Sequence, residues 1–339
     1  MKIIKKTPIG KMNNKTGKRF SLKLLVGFIL FQLIFTVVTA PFVLLYGPFE
    51  VARKIYVGSA MATMSNQWLA TSFLSNEKID EILGTNRSVG ETETQDSSLV
   101  EIPKTKDDNI EYFQLTKNTK FTGHVLVIHD PTRVKVGVSS KLGIEGETVS
   151  QIADDNDAIA GINGGYFSDD SGAQQWTSNG GKPTGYLMTE GIVKNNIEGN
   201  DKTPIVAITK EGKLLVGEIT VANLLKNNDV KEAMSYIDTL VVNGNPSIIK
   251  RETGSSPRTM IGQRKDGAIV FVVLDSRLPG DRICATLEEA QEVMISLNCS
   301  NAVNLDGGKS TTMYLYGEVI NNPSNALGER PIASGFIVK

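Results

Sequence analysis

The chain has little histidine and little cysteine, which removes much of metal and thiol chemistry from consideration. Only His124 and His129 occur among 339 residues, and Cys284 and Cys299 are the two cysteines. A multi-histidine zinc site is therefore excluded, and neither H-E-x-x-H nor C-x-x-C is present. There is no G-x-S-x-G nucleophile elbow and no Walker-type phosphate loop. Any chemistry falls to acidic side chains, arginine and backbone donors. The cysteines flank a stretch that reads as a helix from about Thr286 to Leu297. Such a helix holds its ends roughly 17 Å apart, well beyond the roughly 4.4–6.8 Å between bridged Cα atoms, so no disulfide is expected.

Acidic residues are missing from the first 23 positions, which carry Lys2, Lys5, Lys6, Lys11, Lys15, Lys18, Arg19 and Lys23. With those eight set aside, 28 basic residues face 37 acidic ones, and the rest of the chain carries about −9. An acidic body argues against a nucleic-acid partner. Charge is also absent from Leu24 to Tyr46, a run of 23 residues. A bilayer core needs about 20 apolar residues as helix, and Gln32, Thr36 and Pro41 are tolerable inside one. The run is longer than the roughly 7–15 apolar residues of a cleavable signal peptide. Its small-residue stretch Val38-Thr39-Ala40 also leads into Pro41, a poor residue after a cleavage site. The expectation is an uncleaved single-pass anchor in the cell membrane. Positive charge on the N-terminal side keeps the tail cytoplasmic and places everything after Tyr46 outside.

The order along the chain is then a basic tail (1–23), a transmembrane helix (24–46), a helical stalk and polar linker (47–109) and a folded body (110–339). Residues 50–83 have helical spacing of apolar positions, and 84–108 are polar and linker-like. In the body, β-rich runs follow one another quickly. They include Gly123–Ile128, Ala158–Asn163, Arg258–Gln263, Ala268–Asp275, Ala302–Leu305 and Ile332–Val338, with turn signals such as Glu190-Gly191 and Asp266-Gly267 between several runs. Thr148 with Gln151, and Thr286 with Glu289, fit the capping-box pattern of helix starts. A third helix is expected over Val221–Met234. Many strands and few helices without strict alternation predict an α+β fold of mixed, mostly antiparallel sheets.

Four segments carry groups suited to chemistry. Asn163-Gly164-Gly165-Tyr166-Phe167 ends an apolar strand in a turn that lets backbone approach a ligand closely. Asp306-Gly307-Gly308-Lys309-Ser310-Thr311 ends another, with an acid followed by N–H and hydroxyl donors suited to an anion. Arg258 heads a strand after Ser256-Pro257, and its planar fork suits phosphate or carboxylate. Asp275 ends a fourth buried strand. Taken singly, the two glycine turns read better as ordinary turns than as sites, and Arg258 and Asp275 read as structural ion pairs as well as they read as sites. Both histidines read as structural. No cofactor is expected. Asp275, Asp306 and nearby carbonyls are hard oxygen donors able to hold a divalent cation, but no ligand spacing demands one.

In order along the chain, I-N-G-G-Y-F (162–167), P-T-G-Y-L-M (183–188), V-V-N-G (241–244), S-P-R-T-M-I-G (256–262) and N-L-D-G-G-K-S-T-T-M (304–313) resemble the phosphodiester glycosidase family over about 120–339. The resemblance implies hydrolysis of a sugar-1-phosphodiester at its glycosidic side, with Asp306, Arg258 and Asn163 as catalytic residues. Gly164, Gly165, Tyr166, Phe167, Asp275, Gly307, Gly308, Lys309, Ser310 and Thr311 would bind substrate. It also implies a glycosyl-phosphate or envelope glycopolymer, as in exopolysaccharide metabolism, as the partner. The alternative is a non-catalytic module that binds or helps assemble such a polymer. The sequence departs from the family pattern at Lys309, which replaces a third glycine, and at Thr311, which replaces a serine.

Overall fold

The computed structural model describes residues 22–61, 67–83, 94–168, 179–197, 199, 201–226, 229–249, 254–277, 284–325 and 327–339. It divides into two compact units, Met1–Arg53 and Lys54–Lys339. In the first, residues Leu22–Tyr46 form one 25-residue helix, almost wholly exposed, that is long and apolar enough to cross a membrane. Apolar side chains leave it on every side rather than forming one buried face. The basic tail lies outside the described residues.

The expected stalk contains the helices Glu50–Met61, Trp68–Thr71 and Asn76–Leu83, which carry buried Val57, Ala60, Ala70, Leu74, Ile79 and Ile82. The first half of the expected linker, 84–93, is outside the described residues. The second half is not a free linker. Gln95 accepts from Val216 N at 2.7 Å and donates to Leu214 O at 2.8 Å, Glu101 N donates to Lys265 O, and Val100 is buried. Polar composition hid this, because Gln95 docks by satisfying backbone groups at a sheet edge rather than by burying apolar surface.

The fold is α+β. A seven-stranded antiparallel sheet runs in the order Ile110–Leu115, Phe121–Ile128, Ile269–Ser276, Arg258–Arg264, Cys299–Asn304, Asp238–Val242, Asn245–Pro246. A second sheet orders Leu214–Ile219, Thr203–Thr209, Val230–Ser235, Leu187–Thr189 and Ile192–Asn195. A third orders Glu318–Val319, Met313–Leu315, Ala160–Asn163, Ser334–Val338 and Val134–Val138. The main core forms where the three sheets meet, with Leu126, Ile261 and Phe271 from the first, Val206 and Met234 from the second, and Ile162 and Phe336 from the third.

Two helices cover outer faces. Leu287–Ser296 packs Ala290 and Met294 against Val272 and Met260 of the large sheet, and Val149–Asp155 packs Ile152 and Ala153 with Ile337 of the third. Both begin in the capping boxes read from sequence, Thr286 with Glu289 and Thr148 with Gln151.

One element is corrected. The helix expected over Val221–Met234 spans only Val221–Lys226, and Val230–Ser235 is a strand between Thr203–Thr209 and Leu187–Thr189. Asparagine and aspartate, as in Asn227-Asn228-Asp229, are poor helix formers by residue type, and pairing with two neighbouring strands overrides the helix preference of Lys-Glu-Ala-Met. Cys284 and Cys299 are free and buried, and burial pushes both thiols up to about 12.

Candidate active site

Asn163 is the junction of the site. It ends the strand Ala160–Asn163, is fully buried, and uses its amide to tie three distant segments together. Its Nδ2 donates to Asp306 O at 2.7 Å, while its Oδ1 accepts from Thr259 Oγ1 at 2.6 Å and from Thr312 N at 3.1 Å. Backbone bonds reinforce the join, with Asp306 N donating to Gly164 O at 3.0 Å and Leu305 N to Thr259 O at 2.8 Å. The Asn-Gly-Gly turn, the strand after Pro257 and the Asp-Gly-Gly turn thus form one structure. Asn163 lies beneath it rather than on its surface.

The two turns touch their neighbours at van der Waals limits. A Cβ on Gly307 would sit 2.6 Å from Pro257 O, and one on Gly164 would sit 2.8 Å from Ser334 O. Only glycine permits these approaches. They bring Gly308 N within 2.9 Å of Pro257 O, locking the acidic turn onto the segment that precedes Arg258.

Several N–H groups of the second turn already have partners within the protein. Gly307 N donates to Asp306 Oδ1 at 3.0 Å, Gly308 N to Pro257 O, Ser310 N to Gly307 O, Thr311 N to Gly308 O and Thr312 N to Asn163 Oδ1. A tight 3-10 turn over Gly308–Ser310 turns these donors inward. The side chains of the turn are disposed differently. The hydroxyls of Ser310, Thr311 and Thr312 are buried without a hydrogen-bond partner among the described residues, and Lys309 is exposed at the tip of the turn.

Arg258 leaves the sheet on a different face from this cluster. It pairs with Leu274 across the ladder and shares strand parity with Met260, both of which pack on the helix side. Its Nε donates to Ala285 O at 3.1 Å and its Nη2 to Gly254 O at 2.7 Å. On these bonds it braces the loop that carries Pro257. Thr259, one residue on, points to the Asn163 side.

Asp275 is almost fully buried and joins the site through residues that the sequence reading missed. Asn321 Nδ2 donates to Asp275 Oδ1 at 2.9 Å and to Thr311 O at 3.2 Å, Asn321 Oδ1 accepts from Met313 N at 2.7 Å, and Asn322 N donates to Asp275 Oδ2 at 2.6 Å. Burial outweighs these donors and raises the carboxyl to about 6. His124 Nε2 lies 3.7 Å from Asp275 Oδ2, and its Nδ1 is 3.0 Å from the Tyr112 hydroxyl. Burial pushes this imidazole below its ordinary value. Asn321-Asn322-Pro323 carries a turn signal in sequence, but nothing local says which carboxylate it embraces. Tyr166 is half-exposed, whereas Phe167 is buried beneath the Arg330 guanidinium, 4.7 Å from its ring centre. Among the described residues, no three His, Cys, Asp or Glu side chains cluster in a way that could hold a metal ion.

Comparison with known proteins places the segments that carry this arrangement within one family. The model of the phosphodiester glycosidase family, NAGPA, matches residues 156–339, more than half of the chain and all four site segments. The chain belongs to the phosphodiester glycosidase family. Among its relatives, the SPbeta prophage-derived protein YomE of Bacillus subtilis is 27% identical over 219 residues, covering 62% of this chain and 31% of that protein. N-acetylglucosamine-1-phosphodiester alpha-N-acetylglucosaminidase of Homo sapiens is 28% identical over 196 residues, covering 52% of this chain and 36% of the human protein. The matched stretches thus span about a third of each relative's length. The catalytic domain of the zebrafish enzyme, auto-inhibited by its pro-peptide, shares the fold with a TM-score of 0.57 at 22% identity, covering 70% of this chain and 86% of that one.

Proposed function

We propose that this protein is a membrane-anchored, extracytoplasmic hydrolase that cleaves a sugar-1-phosphodiester in cell-envelope or exopolysaccharide metabolism. The observation that carries the reading is the Asn163 junction, which draws three family segments around Asp306. In the reaction, water would replace the phosphate at the anomeric carbon, so that the C1–O bond breaks and the phosphate leaves as a phosphomonoester with the bond's electron pair. A phosphomonoester is a good leaving group and needs less protonation than an alcohol. Catalysis then rests on stabilising developing charge at both ends of the breaking bond. Asp306 acts on the sugar side, as base, nucleophile or partner of an oxocarbenium-like centre. The side chains of Ser310, Thr311 and Lys309 act on the phosphate side. Arg258 holds the Pro257 loop against the acidic turn and adds positive charge behind it, and Asn163 fixes the register of both.

The helix Leu22–Tyr46 serves as the anchor in this reading, with the lysine-rich tail inside and the body outside. The test is to incubate the full-length protein in detergent with an N-acetylglucosamine-1-phosphodiester and measure free sugar and phosphomonoester. Turnover by the wild type that is lost in Asp306→Asn is expected. Binding without turnover across several sugars would replace the enzyme with a glycopolymer-binding module.

A further inference from the structure

The segment that follows Asp306 is held from two sides. Thr312 N donates to Asn163 Oδ1 at 3.1 Å, and Thr311 O accepts from Asn321 Nδ2 at 3.2 Å. These two atoms belong to one peptide group, and the C=O and N–H of a trans peptide point in opposite directions. Asn163 and Asn321 therefore grip the same peptide plane from opposite sides. Asn321 Oδ1 also accepts from Met313 N at 2.7 Å, and a little further on Ser324 Oγ donates to Gly308 O at 3.1 Å. A hairpin sets this loop in place. Met313–Leu315 and Glu318–Val319 are joined by Tyr316-Gly317, with φ of +49° and +92°, the kind of two-residue turn that fixes strand register. That register brings Ile320 N to Met313 O at 2.9 Å, so Asn321 falls beside the peptide it holds.

Asp275 is what the loop rests on. Its Oδ1 accepts from Asn321 Nδ2 at 2.9 Å, its Oδ2 accepts from Asn322 N at 2.6 Å, and the residue is 3% exposed. Asn321 Nδ2 carries one hydrogen for each of its two acceptors, Asp275 Oδ1 and Thr311 O, so the amide links carboxylate and turn directly. Behind Oδ2 stands His124, whose ring is stacked on that of Tyr112 with centroids 6.1 Å apart. Both of these residues come from strands that precede the region matched by the family. We propose that Asp275 is a positioning residue: acting through Asn321 and Ser324, it holds the turn that carries Asp306, and it does not touch the substrate. Both of its oxygens face donors of the chain itself, and small displacements of catalytic groups are costly to rate. The inference rests on the hydrolase reading for its effect on turnover, and on the hydrogen bonds of the loop alone for its effect on the turn.

Full-length wild type, Asn321→Ala, Asp275→Asn and the double variant are compared in detergent. Two readouts are taken: hydrogen–deuterium exchange over residues 306–313, and kcat and KM on an N-acetylglucosamine-1-phosphodiester. Asn321→Ala should speed exchange in that segment about tenfold. It should also lower kcat about tenfold and leave KM within about twofold of wild type. Asp275→Asn leaves one acceptor where two donors converge, so it should move exchange and kcat the same way by a smaller factor. In the double variant the losses should not multiply, because both residues act through one contact. Ser324→Ala should lower kcat several-fold, and Ser324→Thr, which keeps the hydroxyl, should restore it. A raised KM with unchanged kcat in Asp275→Asn, or losses that multiply, would make Asp275 a substrate contact and overturn the proposal. Unchanged exchange in Asn321→Ala would overturn it too. If the wild type hydrolyses nothing while Asn321→Ala still loosens the turn, the positioning stands and the hydrolase reading falls.

Discussion

His124 and Asp275 face each other from neighbouring strands of the large sheet, with Nε2 and Oδ2 3.7 Å apart, and burial drives each toward its uncharged form. Their effects on stability oppose one another. Asp275 is raised from 3.8 to about 6, so the folded chain keeps a proton that the unfolded chain has lost, and stability falls as pH rises across that window. His124 is pushed below 6.5, so its contribution is lost as pH falls below that value, where the unfolded imidazole charges first. Asp275→Asn removes the first effect and keeps the second. The melting temperature of the variant should gain on the wild type between about pH 4 and pH 6 and hold a constant offset above. An offset independent of pH from about 4 to 7 would show that Asp275 does not titrate there.

Asn163→Ala should cost about 3 kcal/mol, since it leaves Thr259 Oγ1 and Thr312 N without their buried acceptor and Asp306 O without its donor. Denaturant unfolding measures the loss. Turnover should fall with it, because the Asn163 amide is what joins the three segments. Full activity in a folded Asn163→Ala protein would remove the junction from the account of the site.

The two glycines of the acidic turn make opposite demands. Gly307 has Pro257 O where a Cβ would go, whereas Gly308 has open space but a φ of +62°. Gly308→Ala should cost about 1 kcal/mol in backbone strain and leave turnover nearly intact. Gly307→Ala must push the turn off Pro257, and activity should drop by more than about tenfold, the effect of a small misplacement of catalytic groups. Steady-state kinetics on the pair decides this.

Lys309 stands where the motif resemblance leads one to expect a third glycine, and it is exposed beside the buried hydroxyls. Lys309→Gly should leave stability within about 0.5 kcal/mol of wild type. If the ammonium meets the phosphate, KM should rise several-fold at low salt, and the difference should shrink as salt screens it. An unchanged KM at every ionic strength would make the lysine a bystander.

The strands next to Asn163, Arg258, Asp275 and Asp306 are all legible in sequence, because each is a short apolar run bordered by a polar turn. Both capping boxes were equally legible, since a cap is written in four consecutive residues. What was not legible depends on partners remote in the chain. Strand Val230–Ser235 reads as helix until its neighbours in the second sheet are known. Gln95 reads as linker until the edge it completes is placed. Asn321 reads as part of a turn until Asp275 arrives beside it. The same holds within the second turn: Gly-Gly-Lys-Ser suggests backbone donors, and only the folded chain shows that Gly308 N and Ser310 N are already held by Pro257 O and Gly307 O.

The hydrogen bonds of Asn163 join residues 96 and 143 positions away, and its own strand is paired by Ser334–Val338. Closing loops of that length is entropically slow, and contacts so remote in sequence form late. The ribosome must therefore deliver nearly the whole body before Asp306 has a site to belong to. A chain arrested before residue 334 would carry Asn163, Arg258, Asp275 and Asp306 but lack the strand that flanks Asn163, so the candidate site is complete only once the last strand has been made.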